Sequence, residues 1–179
     1  MNYTKQNGVA LFISLVLLLV LTIVGVSSVQ TTSLEVRMAR NHHDSTLAFQ
    51  AAESALRDAE ILIEGLADTT AFDNAGPLYD VADMNQAPRW EQANVWTGGN
   101  SAEAATDMEV AGVTLAAPSR YIVEHAATVI IEENAYQLDD PYAVSTNNRI
   151  EMFRITVRGV GGSNNANVTI QSGYGRIMN

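Results

Sequence analysis

The sequence has no cysteine among its 179 residues, which excludes a disulfide-stapled scaffold, a thiol nucleophile and a Cys-ligated zinc or iron–sulfur site. Cations are scarce: 10 Lys and Arg face 20 Asp and Glu, a formal net charge of -10. Nucleic-acid binding rests on cations that neutralise phosphates, so no nucleic-acid partner is expected. Proline is rare too. Its four copies begin only at Pro77, so no proline interrupts a helix before that point. The length leaves room for about one domain.

What the chain does have is hydrocarbon, concentrated near its start. VALFISLVLLLVLTIVGV, Val9 to Val26, is 18 residues long without a charge, and only Ser14, Thr22 and Gly25 interrupt it. At about 1.5 Å per residue such a helix measures about 27 Å, close to the thickness of a bilayer core. Ahead of it stands a single cation, Lys5; behind it come Glu35, Arg37 and Arg40. Residues 1–40 carry a net +2 and residues 41–179 a net -12, so the acidic bulk is expected on the far side of a membrane from Lys5. Three readings compete for this segment: a removable secretory signal ending near Val26-Ser27-Ser28, a plain anchor, or an anchor that later becomes a packing element. The run is longer than a secretory core of about 7–15 residues, and the residues after it continue the same helix, which disfavours the first.

From Leu34 onward, apolar or small residues recur at helical spacing: Leu34, Met38, Ser45, Phe49, Ala52, Leu56, Ala59, Ile63 and Leu66. Glu35, Arg37, Arg40, Asp44, Arg57, Asp58 and Glu64 fall on the other face. The pattern predicts one helix from about Val9 to about Gly65, apolar all round over 9–30 and amphipathic over 31–66. Thr32-Ser33-Leu34-Glu35 has the form of a capping box, which leaves open a second helix starting there. Residues 67–119, rich in Gly, Pro, Asp and Asn, read as loop with short elements, with one or both of Trp90 and Trp96 expected to bury against the helix and an exposed adhesive or partner-binding patch as the alternative. Strands are expected near 119–131, 150–160 and 166–172, the last two joined as a hairpin through the GGSNN of Gly161 to Asn165. Phe153, Ile155 and Val157 alternate with Met152, Arg154, Thr156 and Arg158. The expected fold is α+β: three or four antiparallel strands with one apolar face on the helix, the face of Arg154 and Arg158 solvated, with contact to a neighbouring acidic protein as the alternative, and 132–148 an exposed insertion.

Signals of catalysis are missing. There is no P-loop, no G-x-S-x-G elbow and no H-E-x-x-H helix. His42 and His43 are consecutive, so on a helix they point about 100° apart, and His125 is distant in sequence. Asp80, Asp83, Asp107, Glu109, Asp139 and Asp140 lack the spacing of a calcium loop and read as solvated acids. Gly159, Gly161 and Gly162 belong to a hairpin connection, with no helix following as a dinucleotide fold requires. No catalytic residue, cofactor or metal is expected, and the chain does not read as an enzyme.

Three stretches carry a family likeness: Gly8 ahead of the apolar run, TSLEVRMA at Thr32 to Ala39, and LAFQAAESALRDAE at Leu47 to Glu60. With them, Gln6 to Glu60 resembles the N-terminal segment of PilX-type minor pilins of the type IV pilus assembly system. The resemblance implies a pilin-like lollipop with a leader at 1–8 and a periplasmic globular region at 67–179. It implies cleavage by prepilin peptidase between Gly8 and Val9, N-methylation of Val9, residence in the inner membrane and then in the pilus, and other minor pilins and the major pilin as partners. Ala10, Ser14 and Gly25 would allow close helix packing. Most pilins carry a glutamate at the fifth residue after the cut, and this chain has Ile13; the subunit best able to do without that carboxylate is one at the tip, with no earlier subunit's amine to pair. Two other readings remain open at this point: an adhesin or sensor domain on an uncleaved anchor, and a type II secretion pseudopilin.

Overall fold

The structure is a computed structural model that describes residues 7–81, 85–92, 94–105, 109–110, 112–131 and 148–178. The chain divides into two compact units, 1–43 and 44–179. Helix α1, Asn7–Gly65, contributes to both. No second helix starts at Thr32. The hydroxyls there turn back onto their own helix, Thr32 Oγ1 donating to the Ser28 carbonyl at 3.1 Å and Thr31 Oγ1 to the Ser27 carbonyl at 3.1 Å. A hydroxyl satisfied four residues back does not cap.

In the second unit α1 lies against a five-stranded sheet. Its long strands are β5, Arg120–Ile131, β6, Asn148–Val160, and β7, Asn167–Ile177. Two short strands, β1, Leu78–Tyr79, and β2, Ala102–Glu103, both pair with β5. β5 pairs antiparallel with β6, and β6 with β7, as the hairpin pattern predicts. β1 runs parallel to β5, so the sheet is mixed where an all-antiparallel one was expected. A separate two-stranded ribbon joins β3, Glu109–Val110, to β4, Val113–Thr114. β7 runs five residues beyond the predicted end at 172, because Ser172, Tyr174 and Arg176 keep the alternation across Gly173 and Gly175. The insertion expected at 132–148 lies outside the described residues except for Asn148, which opens β6.

The core forms where Phe153, Ile155 and Val157 of β6 and Tyr121 and Val123 of β5 meet α1. The helix side is a stripe of Ala48, Ala52, Ala55, Ala59 and Ile63, each essentially inaccessible to solvent. Phe49, placed in the apolar face by its spacing, is 45% exposed. The reason is size. A Cβ on Gly159 would stand 2.7 Å from the Ala52 nitrogen and 2.8 Å from the Ala52 Cβ, and would overlap the Ala48 carbonyl. Where Gly159 meets Ala48 and Ala52, strand and helix approach so closely that only alanine and glycine fit between them, and Phe49 turns outward.

Two polar clamps complete this unit. Asp44 accepts hydrogen bonds from the Ser163 amide at 3.2 Å and from the Ser163 hydroxyl, which seats the β6–β7 turn on the helix. At the other end Arg176 donates to the Leu66 carbonyl at 2.7 Å and to the Ile63 carbonyl. A cation there adds hydrogen bonds to carbonyls at the helix C-terminus, where the Ile63 carbonyl also accepts from the Leu66 amide at 3.2 Å, and meets the negative end of the helix dipole.

Candidate functional site: the apolar segment of the N-terminal helix

Every one of the 14 Leu, Ile, Val and Phe residues between Val9 and Val26 is exposed, from 39% at Val16 to 73% at Leu11. None of this segment is buried within the chain, and the helix that carries it is long and apolar enough to cross a membrane. Such a surface requires an apolar solvent, either lipid or other protein helices. Its two hydroxyls are already satisfied: Ser14 Oγ donates to the Leu11 carbonyl at 2.8 Å and Thr22 Oγ1 to the Leu19 carbonyl at 2.7 Å. The segment therefore presents no unpaired side-chain polar group to hydrocarbon.

Gly8 and Val9 both lie inside α1, just after its start at Asn7; residues 1–6 of the expected leader lie outside the described residues. On an ideal helix Ala10, Ser14 and Gly25 fall within about 60° of one another, a narrow stripe of small residues, with Ile13 about 60° to its other side. A side chain at Gly25 would meet nothing within 4 Å in this chain. Its smallness is thus not required by the chain's own packing.

Among the described residues the globular unit buries two carboxyl groups, Glu124 and Glu151, that the sequence pattern does not single out. Glu124, on the sheet face turned away from the helix, is 2% exposed, and neither carboxylate oxygen has a hydrogen-bond partner among the described residues. Arg89 Nε stands 4.0 Å from it, and the Arg89 guanidinium lies 4.6 Å above the Tyr79 ring. Burial pushes the Glu124 carboxyl above its ordinary value of 4.5, and Arg154 and Arg89 counter this only in part. On the helix side, His125 Nε2 donates to Glu151 Oε2 at 2.7 Å, the same oxygen that accepts from the Thr128 hydroxyl at 2.6 Å. Burial alone would raise Glu151, but these hydrogen bonds outweigh it and hold the carboxyl below its usual range.

Alternation hides Glu124 because it assigns the whole of that face to solvent. At one end the face is roofed: Tyr79, Val95 and Ile122 form a second apolar cluster, and Trp96 packs on it. Trp96 therefore covers the sheet and not the helix, its Nε1 donating to the Trp90 carbonyl at 3.1 Å, while Trp90 is 38% exposed. Arg154 remains exposed as expected. Among the described residues no three His, Asp or Glu side chains gather as metal ligands. Asp83, Asp107, Asp139 and Asp140 lie outside the described residues.

The strain at Glu124 predicts a pH effect of definite sign. A carboxyl whose folded pKa is raised lowers stability once ionised, and this penalty fades as pH falls through the folded pKa toward the ordinary value. Relative to Glu124→Gln, the wild-type chain should therefore gain stability as pH is lowered from 7 toward 5, and the substitution should stabilise it at pH 7. Paired urea denaturation curves check this; curves that stay a constant distance apart over that range would refute it.

Two family comparisons bear on the whole arrangement. The family described as PilX N-terminal matches residues 7–57, and the family described as Type IV pilus assembly protein PilX C-term matches residues 37–176. The chain belongs to the PilX family. No curated protein and no solved structure matches it. PilX membership joins the two units functionally: the apolar segment of α1 is, among the described residues, the one stretch able to anchor this type IV pilus assembly protein in a membrane, and the α+β unit is its pilin-like folded part.

Proposed function

We propose that this PilX-family chain is a minor pilin that primes pilus assembly from the tip. The observation that carries this reading is Ile13, which occupies the position where most pilins place a glutamate, so that the apolar run from Val9 to Val26 contains no carboxylate at all. A carboxylate inside a bilayer costs about 2.5–3.5 kcal/mol on insertion scales, and in a filament it repays that by pairing a neighbour's amino terminus. A subunit with no subunit ahead of it has no amine to pair. In this reading prepilin peptidase cuts between Gly8 and Val9, Val9 is N-methylated, and α1 holds the chain in the inner membrane with the acidic unit in the periplasm. There it meets other minor pilins, and the major pilin adds beneath.

Moving α1 from lipid into a bundle of pilin helices exchanges one apolar environment for another, so association depends on close packing at small residues such as Ala10, Ser14 and Gly25. The family match favours a pilus over a secretion pseudopilus. Introducing Ile13→Glu tests the tip reading. It should reduce the number of pili per cell without changing their composition, because initiation fails and elongation does not; unchanged piliation contradicts it.

A further inference from the structure

We propose that the outer edge of β7 is a docking site for an extended, acidic strand of another protein, added to the sheet edge to edge. β7 ends the sheet order, and among the described residues no strand pairs with its far side. It is 11 residues long and its register with β6 shows no bulge. Exposed edges are usually blunted by lysine, proline, bulges or shortness, because a free row of amides and carbonyls recruits other strands. β7 has none of these, and its one charge, Arg176, turns inward to cap the helix.

The ladder identifies the free groups. The Gly161 amide donates to the Ala166 carbonyl at 2.8 Å, and from there the antiparallel pairing alternates without interruption. Even-numbered residues of β7 therefore bond inward, and Thr169, Gln171, Gly173 and Gly175 point their amides and carbonyls outward.

Charge selects the occupant. The whole chain is strongly acidic, yet from Asn148 to the end it has four arginines and one acid, Glu151. Two of these arginines flank the edge on the sheet face turned away from α1: Arg158 is paired with Thr169, and Arg154 with Gly173. A side chain at Gly173 would meet nothing within 4 Å. The fold itself does not require glycine there, and its absence of a side chain leaves the space between Arg154 and the edge unobstructed. A docked strand carrying carboxylates four residues apart on one face would place them beside these two guanidiniums. A second copy of this chain fits poorly, since pairing β7 with β7 would bring the same arginines together, and the opposite edge of the sheet offers only the two-residue strands β1 and β2. The surface is independent of where in the pilus the subunit sits.

The test uses the full chain in detergent micelles and a synthetic 12-residue peptide of alternating Glu and Val, with a Lys and Val peptide as its counterpart. Hydrogen exchange at the amides of Thr169, Gln171, Gly173 and Gly175 should slow by about tenfold or more with the acidic peptide, while the inward amides of β7 stay as they were. Gln171→Pro, which removes one outward amide, should abolish the effect with the inward amides still protected. Arg158→Glu, which leaves the backbone untouched, should weaken the acidic peptide by about tenfold and favour the basic one. No slowing, equal slowing by both peptides, or slowing that depends on protein concentration without peptide would overturn the proposal.

Discussion

Replacing Gly159 with alanine is expected to destabilise the folded unit by about 3 kcal/mol, at the upper end for overpacking a core. The added methyl has nowhere to go. It meets the Ala48 carbonyl, the Ala52 nitrogen and the Ala52 Cβ, and two of these are helix backbone that cannot rotate aside. Relief requires α1 to move off the sheet along the stripe from Ala48 to Ile63, which opens voids beside Phe153 and Ile155. Gly173→Ala is the matched control on the next strand. Its methyl meets nothing, and replacing a strand glycine stabilises by about 0.5–1 kcal/mol. Urea midpoints of the two variants should move in opposite directions; equal destabilisation would show that glycine content, and not the close approach of strand to helix, governs this core.

That contact also shows what can be read from the residues alone. Periodicity locates α1 to within two residues at each end and identifies all three long strands, because both signals depend on the order of apolar and polar groups. It finds Ala52, Ala59 and Ile63 on the buried stripe of the helix but ranks Phe49 above Ala48 and Ala55, because hydrophobicity does not report how closely two backbones approach. The clue is present in Gly159, which reads as turn chemistry although it still belongs to β6, one residue before the strand ends, and sits against the alanines. Glu124 is hidden for a different reason. Alternation assigns a residue to a face of the sheet, but only the fold of residues 67–119 decides whether that face is covered, and that stretch has no period to read. The apolar segment, by contrast, is fully legible, since eighteen uncharged residues need no tertiary context to define their solvent.

Two arginines in that segment should abolish membrane anchoring where one does not. The 14 Leu, Ile, Val and Phe residues of 9–26 favour insertion by about 4–8 kcal/mol in total on a biological scale, and an arginine near the centre opposes it by about 3 kcal/mol. Each substitution also removes a leucine. Leu17→Arg should therefore remain largely in the membrane fraction, while the double variant Leu15→Arg, Leu19→Arg should appear in the soluble fraction or be degraded. Alkaline extraction of membranes measures both. A double variant that resists extraction as the wild type does would mean that something other than this helix holds the protein to the membrane.

The account rests on α1 serving first as a membrane anchor and then, shortened by its leader, as a packing element in the filament. The mature N-terminus tests this most directly. Mass spectrometry of the chain purified from piliated cells should find Val9 as the first residue, carrying one N-methyl group. A chain that still begins at Met1 would contradict processing and leave a permanent tether, and a chain that begins after Val26 would show the segment to be a discarded signal.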